Sequence, residues 1–263
     1  MKVTRYLAGV PCWADLSSPD IDASMRFYTG VFGWDPQVSP SPVAGGYALF
    51  HKGDAAAAGL GPLQGTDQSP AWSAYIATDD ADASATQVEG RGGKVLVAPF
   101  DVTDQGRMAV FMDPTGVVFG VWQKNTFPGA QVSVEPGALS WIELRTHDAD
   151  AAVHFYQAVF GWRPEVHDMG EAGIHTTFHV NERAVAGMAP ELDDRWPADL
   201  PSHWLVYFGS ADNDTDATAA KIQEFSGSLT LPPTDIPGVG RFAEAVDPAG
   251  AAFAVLAGGP SQA

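Results

Sequence analysis

Two acidic side chains follow tryptophans in closely similar segments of the chain. Asp15 lies in "CWADLS" (residues 12–17), and Glu143 lies in "SWIELR" (residues 140–145). Both segments alternate in polarity, which is typical of a strand that buries one face. A carboxyl group held among apolar side chains acquires a raised pKa and can act as a general acid or base. Asp15 and Glu143 are therefore candidate catalytic residues; the alternative for each is a carboxylate at the rim of a barrel, paired with a base.

The residue two positions after Glu143 bears on that choice. Arg145 lies on the same face of the predicted strand as Glu143, because side chains alternate along a strand. An ion pair between the two would keep the pKa of Glu143 low, whereas apolar walls around the carboxyl group would raise it. The sequence leaves both outcomes open.

Both segments belong to an internal repeat. Residues 13–38 and 141–166 are identical at 13 of 26 positions, and each copy contains a Phe-Tyr pair followed by Phe-Gly-Trp. The repeat continues through "GRMAVFMDPTGVVFGV" (106–121) and "GRFAEAVDPAGAAFAV" (240–255). Self-similarity over this length predicts two homologous domains.

The two domains are predicted to be joined where hydrophobic periodicity fades and Pro and Gly cluster. We place domain 1 at residues 1–125, a linker at 126–136 and domain 2 at 137–263. Within each domain the sequence predicts a strand, a helix and further strands, and the same order then recurs within that domain. The first helix of domain 1 lies in "SPDIDASMRFYTGVFG", where apolar residues recur at helical spacing and Gly33 ends the helix.

The order of the Phe-Tyr, Phe-Gly-Trp and Asp-Pro-x-Gly motifs resembles the vicinal oxygen chelate superfamily, the group of glyoxalase I, bleomycin-resistance proteins and extradiol dioxygenases. The resemblance covers nearly the whole chain. It implies an α+β fold of two tandem domains, each built from two βαβββ modules that form an incomplete barrel around a small-molecule cavity. The superfamily includes metal-dependent lyases, isomerases and dioxygenases, metal-free antibiotic-sequestering proteins and proteins of aromatic polyketide metabolism. The fold therefore does not fix the function.

The resemblance also identifies the positions at which metal-using members carry their ligands. In this chain those positions hold Trp13 and Trp141, Ser73 and Leu205, Gly120 and Ala254, and apolar or glycine residues within "AAAAGLG" and "AVAGMA". A divalent ion needs several N or O donors at about 2–2.5 Å, and these residues do not supply them. We therefore expect no metal ligands at these positions and no cofactor.

The histidines of domain 2 leave a divalent metal as the alternative cofactor. A rebuilt site would combine Glu143 with His147, His175 or His179. His175 and His179 share a strand face but lie ~13 Å apart along it, so they cannot chelate one ion together.

Small residues opposite aromatic side chains predict the lining of the two cavities. A Gly or Ala opposite a Trp leaves room for a flat apolar molecule that stacks on the indole. The predicted ligand-binding residues are Trp13, Tyr75, Gly120 and Trp122 in domain 1, and Trp141, Arg145, Tyr207 and Ala254 in domain 2. The alternative is that Trp13 and Trp141 plug the barrels as core residues. Glu244 interrupts an apolar segment, and we expect it to face the domain 2 cavity or an interface.

The composition excludes several classes of partner. A formal net charge of -18 is unsuited to nucleic acid or to an anionic membrane surface. The single cysteine, Cys12, cannot form an internal disulfide. No apolar run approaches a membrane span and the start has no apolar signal region, so we expect a cytoplasmic protein.

Together these features predict a metal-free protein that binds an apolar, aromatic small metabolite. It would act as a sequestering protein, a pathway-accessory protein, or a lyase or isomerase. The first alternative is a metal-dependent enzyme of the glyoxalase or dioxygenase type with a rebuilt site in domain 2. The second is a structural interaction protein with plugged barrels. We expect a small-molecule ligand, no nucleic-acid or membrane partner, and either a monomer of two pseudo-symmetric domains or a homodimer.

Overall fold

The strands of the chain form two separate sheets, one in each half of the sequence. The computed structural model describes residues 2–65, 68–133, 135–170, 173–190, 200–236 and 239–258. The strands of the first sheet are β1 (Pro11–Ser18), β2 (Asp35–Val38), β3 (Ala48–Lys52), β4 (Ala55–Pro62), β5 (Ala71–Thr78), β6 (Lys94–Val102), β7 (Gly106–Met112) and β8 (Val118–Lys124). Those of the second are β9 (Leu139–Thr146), β10 (Arg163–Asp168), β11 (Ile174–Val180), β12 (Arg183–Pro190), β13 (His203–Gly209), β14 (Ser228–Ile236), β15 (Gly240–Val246) and β16 (Ala252–Gly258).

Four helices complete the fold within the described residues. They are α1 (Ile21–Phe32), α2 (Ala81–Gly90), α3 (Ala149–Phe160) and α4 (Thr215–Glu224). Each is too short or too polar to span a bilayer. The strand orders are β2-β3-β4-β1-β5-β8-β7-β6 and β10-β11-β12-β9-β13-β16-β15-β14, so both sheets are open rather than closed barrels. This topology confirms the predicted α+β fold of tandem βαβββ modules.

The helix termini follow directly from the sequence. Each helix begins after an aspartate whose carboxylate accepts a hydrogen bond from a backbone amide of the first turn, as Asp20 does from Ala23 at 2.9 Å. Such a cap contributes about 1 kcal/mol. Helices α1 and α3 end at Gly33 and Gly161, both with φ 68°, a conformation that glycine adopts without steric cost.

The tyrosine of each Phe-Tyr pair contacts the opposite domain. Tyr28 donates a hydrogen bond to Asp247 Oδ2 at 3.1 Å and accepts one from Trp72 Nε1 at 2.9 Å. The equivalent tyrosine of α3, Tyr156, donates to Asp113 Oδ2 at 3.0 Å. We call these two reciprocal contacts, Tyr28–Asp247 and Tyr156–Asp113, the interdomain latches.

The aspartate of each latch also holds its own hairpin turn. Asp113 Oδ1 accepts hydrogen bonds from the backbone amides of Thr115 and Val117 at 2.8 and 3.0 Å. Asp247 accepts equivalent bonds from Ala249 and Ala251. The aspartate of the Asp-Pro-x-Gly motif therefore holds its own hairpin through one carboxylate oxygen. Its second oxygen binds the tyrosine of the other domain.

The Phe-Gly-Trp tryptophans make a second pair of reciprocal contacts. Trp34 Nε1 donates to the carbonyl of Gly137, immediately before β9, at 2.9 Å. Trp162 Nε1 donates to the carbonyl of Gly9, shortly before β1, at 2.7 Å. One hydrophobic core runs through both halves of the chain, because buried side chains from α1, α3 and both sheets pack in a single cluster.

The latches predict that Tyr156→Phe destabilises the protein although it removes only a hydroxyl group. Asp113 Oδ2 and Trp204 Nε1 would each lose a buried hydrogen-bond partner. The expected loss in the free energy of unfolding, measured with chemical denaturant, is about 1–3 kcal/mol. Tyr28→Phe should cost a similar amount.

The neighbouring residue Gln157 provides the control for this test. It is exposed on the same helix, so Gln157→Ala should stay within about 0.5 kcal/mol of the wild type. Equal stability of Tyr156→Phe and Gln157→Ala would contradict a stabilising role for the latches.

Candidate functional site

The central strand of each sheet presents its candidate residues on one face. In domain 2, β9 lies between β12 and β13, and Glu143 is paired with Gly187 on one side and Leu205 on the other. Trp141 is paired with Tyr207, whose other neighbour is Ala254 on β16. As the predicted alternation requires, Trp141, Glu143 and Arg145 lie on the same face of β9.

Glu143 is the centre of a hydrogen-bonded cluster in domain 2. Arg145 Nη2 lies 2.7 Å from Glu143 Oε1, and Tyr207 donates its hydroxyl to the same oxygen at 3.3 Å. His175 Nε2 lies 3.1 Å from the other oxygen, Oε2. Arg145 Nη2 also lies 2.7 Å from Glu244 Oε1, which places Glu244 in this cluster. We call these five residues the domain 2 cluster.

The charges in the cluster decide the ionisation of Glu143. Burial on its own would raise the pKa of this carboxyl group, since its side chain is only 11% exposed. The opposing charge of Arg145, together with His175 and Tyr207, outweighs burial and lowers the pKa of Glu143 below its ordinary value. Of the two outcomes that the sequence left open, the ion pair prevails, so Glu143 is an ionised hydrogen-bond acceptor.

A glycine makes room for this arrangement. A Cβ atom on Gly187 would lie 2.9 Å from Trp141 Nε1, 3.0 Å from His175 Nε2 and 3.2 Å from Glu143 Oε2. A methyl group at this position would force these side chains to move apart by a few tenths of an ångström. His175 on β11 reaches Glu143 on β9 across the intervening strand because residue 187 carries no side chain.

Domain 1 contains the same arrangement with different side chains. Tyr47 donates to Asp15 Oδ2 at 3.3 Å and accepts a hydrogen bond from Trp13 Nε1 at 3.3 Å. Tyr75 also bonds the Asp15 carboxylate, as Tyr207 bonds Glu143. A Cβ atom on Gly59 would collide with the Tyr47 hydroxyl. Asp15, Tyr47 and Gly59 are thus the repeat equivalents of Glu143, His175 and Gly187.

Among the described residues, Asp15 has no cationic neighbour comparable to Arg145. Burial raises the pKa of its carboxyl group to about 6, although hydrogen bonds from Tyr75 and Tyr47 oppose the shift. Ser17 occupies the position equivalent to Arg145. Asp15 and Glu143 therefore differ in pKa, because Arg145 has no counterpart in domain 1 and His175 lowers the pKa of Glu143 further.

The two domains also differ in how far their aromatic side chains are exposed. Trp13, Tyr75 and Trp122 are 4%, 7% and 7% exposed. Phe127, from the segment after β8, packs edge-on against Trp13, and its carbonyl accepts a hydrogen bond from Trp122 Nε1 at 2.9 Å. The interior of domain 1 is therefore filled by its own aromatic residues, and Gly120 gives space to the ring of Tyr75.

The tryptophan of the repeat is more exposed in domain 2 than in domain 1. Leu205, Tyr207 and Ala254 are buried, but Trp141 is partly exposed, as are Leu231 and Ile236, which pack against the same group. Partly exposed apolar side chains next to a few polar groups are typical of a small-molecule site.

The residues at the family's metal-ligand positions do not fit a metal ion. The four positions on the first and last strands carry Trp13, Gly120, Trp141 and Ala254, none of which offers a carboxylate or imidazole donor. Ala254 is fully buried against Tyr207 and Leu205. We derive no metal-dependent step from this site.

The histidines considered for a rebuilt metal site do not converge. His175 contacts Glu143, whereas His147 bonds the carbonyl of Leu200 at 2.8 Å. His179 lies 3.7 Å from Glu165 on the edge strand β10. In the part of the chain that the structure describes, no group of three or more His, Cys, Asp or Glu side chains is placed to hold a metal.

Sequence reasoning missed Tyr47 as a site residue and assigned no proton-transfer role to His175. His175 lies on β11 and Tyr47 directly precedes β3, and each of these strands is the next but one to the strand of its carboxylate, so a single strand's alternation cannot reveal them. The available signal was their equivalent position in the repeat, together with the glycines Gly59 and Gly187 at equivalent positions.

The raised pKa of Asp15 predicts a pH dependence of stability. A carboxyl group with a folded-state pKa of about 6 favours folding while it is protonated, and this contribution is lost as the pH rises from about 4 to above 6. Asp15→Asn removes the titration. The variant should therefore gain stability relative to the wild type by about 1–3 kcal/mol between pH 4 and pH 7.5, measured by denaturant unfolding.

Glu143→Gln offers a matched comparison at the equivalent position. The pKa of Glu143 is lowered, so ionised Glu143 stabilises the folded state above its unfolded pKa and loses this effect as the pH falls. The stability difference between variant and wild type should therefore change with pH in the opposite direction. A pH-independent difference for Asp15→Asn would contradict the raised pKa.

Comparison with known proteins agrees with the geometry. The family model described as "Glyoxalase/Bleomycin resistance protein/Dioxygenase superfamily" matches the chain twice, at residues 12–121 and 138–255. "Anthracycline biosynthesis protein DnrV" of Streptomyces peucetius is 42% identical over 269 aligned positions, which cover 97% of this chain and 95% of that protein. "Putative glyoxylase CFP32" of Mycobacterium tuberculosis is 40% identical and covers 99% of both chains.

Solved structures share the fold at low sequence identity. The Mn(II)-bound glyoxalase from Novosphingobium aromaticivorans has a TM-score of 0.67 at 19% identity, over 97% of this chain and 86% of that one. The 2,3-dioxygenase LapB from Pseudomonas sp. KL28 has the same TM-score at 13% identity, over 97% and 94%. From its repeated motifs, its two sheets and these matches, the chain belongs to the glyoxalase/bleomycin resistance protein/dioxygenase superfamily.

Proposed function

We propose that the protein binds an apolar, aromatic small metabolite in domain 2 without using a metal ion. The observation that carries the proposal is the partly exposed indole of Trp141 beside the domain 2 cluster, at a position where metal-using relatives of this fold would carry a ligand. An indole face offers a stacking surface to a flat ring. The neighbouring hydrogen-bonding groups orient polar substituents on that ring.

The proposal assigns the two domains different roles. The aromatic residues of domain 1 pack against one another and against Phe127, so Trp13, Tyr75, Gly120 and Trp122 are better explained as core. Domain 2 keeps Trp141, Leu231 and Ile236 partly exposed. Ligand binding is therefore assigned to domain 2, where the partly exposed Trp141 shares a strand face with Arg145, while Tyr207 (5% exposed) and Ala254 (0%) form the buried base of the site.

The relatives support the class of ligand. Proteins 41–42% identical to this chain are named for anthracycline biosynthesis, and they match it over nearly its full length. An aromatic polyketide-like metabolite suits a site of indole and aliphatic side chains. The protein would act as a sequestering or pathway-accessory protein, or as a lyase or isomerase if the domain 2 cluster moves a proton.

Metal analysis tests the proposed independence of metal. Protein purified without chelator should contain Zn, Ni, Fe and Mn well below one ion per chain, and prolonged dialysis against a chelator should leave ligand affinity unchanged. Stoichiometric metal that survives dialysis would instead support an enzyme of the glyoxalase or dioxygenase type with a rebuilt site.

Ligand binding is expected to depend on Trp141. A hydroxylated anthraquinone such as alizarin serves as the probe, with affinity measured by calorimetry and by quenching of tryptophan fluorescence. Trp141→Leu should weaken binding about three- to tenfold, because an aromatic pair contributes about 0.5–1.5 kcal/mol beyond the area that it buries and about 1.4 kcal/mol corresponds to tenfold.

The equivalent residue of domain 1 provides the matched control. Trp13→Phe keeps an aromatic ring in the filled interior of domain 1 and should leave affinity within about twofold, with melting temperature recorded for both variants. Retained affinity in Trp141→Leu together with a loss in Trp13→Phe would place the binding site in domain 1 and contradict the proposal.

A further inference from the structure

The replacement of Tyr47 by His175 in the repeat changes what the site can do. In domain 1 the Tyr47 hydroxyl donates to Asp15 and accepts from Trp13 Nε1, so these three groups satisfy one another. A hydroxyl can donate and accept through the same oxygen, whereas each nitrogen of a neutral imidazole does only one of the two. The equivalent residues of domain 2, Glu143, His175 and Trp141, therefore cannot satisfy all of one another's hydrogen-bonding groups.

Glu143 determines which nitrogen of His175 carries the proton. An ionised carboxylate only accepts hydrogen bonds, so the 3.1 Å contact requires His175 Nε2 to donate. In the neutral ring the lone pair then lies on Nδ1. No partner of Nδ1 is found among the described residues, and the His175 side chain is 30% exposed.

The same constraint affects the neighbouring indole. Trp141 Nε1 and His175 Nε2 both lie close to Gly187, within 2.9 and 3.0 Å of the position of a Cβ atom there. Nε2 already carries a proton and cannot accept from the indole, as Tyr47 does from Trp13 in domain 1. The described residues offer Trp141 Nε1 no hydrogen-bond partner. A basic nitrogen and an unused N–H donor thus lie next to the apolar surface of domain 2.

We propose that His175 is the acid–base residue of a tautomerase activity in domain 2, with Glu143 as its positioning residue and Trp141 Nε1 as the donor to the substrate oxygen. The substrate class is an aromatic ketone with an acidic C–H next to its carbonyl group. This inference rests on the proposed binding of an aromatic ligand in domain 2. It replaces the acid–base role predicted for Glu143, whose ion pair with Arg145 keeps it ionised.

The proposed reaction needs no further reactant. His175 Nδ1 takes the proton from the carbon next to the carbonyl group, and the C–H electron pair forms the C=C bond of an enolate. The carbonyl π pair moves to oxygen, where the indole N–H of Trp141 donates to the developing negative charge. The imidazolium, stabilised by Glu143, then returns the proton to carbon or to oxygen. The product is a tautomer or the original ketone, and no group is oxidised or reduced.

Hydrogen–deuterium exchange measures this step without knowledge of the natural substrate. The probe is 2-tetralone, a bicyclic ketone with an acidic C–H between the carbonyl group and the benzene ring, and NMR follows the loss of this exchangeable C–H signal in deuterated buffer. The wild-type protein should accelerate exchange at least tenfold over buffer. His175→Gln should lower the protein-dependent rate by about 10²–10⁴-fold, the usual effect of removing a general base.

A second histidine on the same strand provides the control. His179 lies four residues further along β11 and contacts Glu165 rather than Glu143, so His179→Gln should keep the wild-type exchange rate. Equal rates in His175→Gln and the wild type would overturn the proposal. Loss of exchange in His179→Gln with retention in His175→Gln would overturn it as well.

The positioning role of Glu143 has a spectroscopic readout of its own. In ¹⁵N NMR of the neutral ring, His175 should appear as the Nε2–H tautomer in the wild type and as a mixture of tautomers in Glu143→Gln. A merely structural role of Glu143 would leave the tautomer unchanged, and an Nδ1–H tautomer in the wild type would contradict the assignment of the base.

Binding measured in parallel distinguishes this inference from the proposed function. If 2-tetralone binds to the wild type, and Trp141→Leu weakens binding, while no exchange is accelerated, the tautomerase inference fails and the binding function stands. If neither 2-tetralone nor alizarin binds, both fail. The melting temperature of each variant is measured as well, so that a loss of exchange is interpreted only for variants that are folded under the assay conditions.

Discussion

The interdomain latches are the constraint on which the rest of the structure depends. Each buried aspartate, Asp113 or Asp247, binds its own hairpin and the tyrosine of the other domain at the same time. Burying a carboxylate without such partners costs free energy of folding. The hairpin, the helix and the contact between the domains are therefore stabilised together. Because the core is continuous across the two halves, neither half buries its motif residues without the other.

With the sheets fixed in this way, the chemistry of each site is set by a few side chains on neighbouring strands. The carboxylates of β1 and β9 occupy equivalent positions, yet burial raises the pKa of Asp15 to about 6 while Arg145 keeps that of Glu143 low. Glu244 extends the same network from β15. Arg145, together with His175, thus decides whether the pKa of the buried carboxyl group at this position is raised or lowered.

Much of this fold was predictable because its signals are local and repeated. The duplicated helix with its Asp cap and Gly33 terminus, the Asp-Pro-x-Gly hairpin and the strand face of Trp141 and Glu143 all follow from spacing along one segment. The edge strands β2, β6, β10 and β14 lie outside the strands that the sequence patterns predict. Tyr47 and His175 reach their carboxylates across an intervening strand, and periodicity within one strand carries no information about that pairing. Whether burial or Arg145 dominates the pKa of Glu143 depends on three-dimensional distances. The sequence alone therefore left the direction of that pKa shift open.

Duplication explains why two similar sites can differ in chemistry within one rigid frame. The glycines Gly59 and Gly187 leave the same space, and the two tryptophans present the same indole nitrogen to it. A tyrosine in that space closes the hydrogen-bond network, since its hydroxyl both donates and accepts. A histidine leaves one donor and one base unsatisfied by the surrounding side chains. Phe127 packs against Trp13 in the closed set of domain 1, whereas Trp141 of the open set in domain 2 is partly exposed. The set of Glu143, His175 and Trp141 therefore combines hydrogen-bonding groups that it does not satisfy itself with an exposed indole, and the proposed substrate requires both.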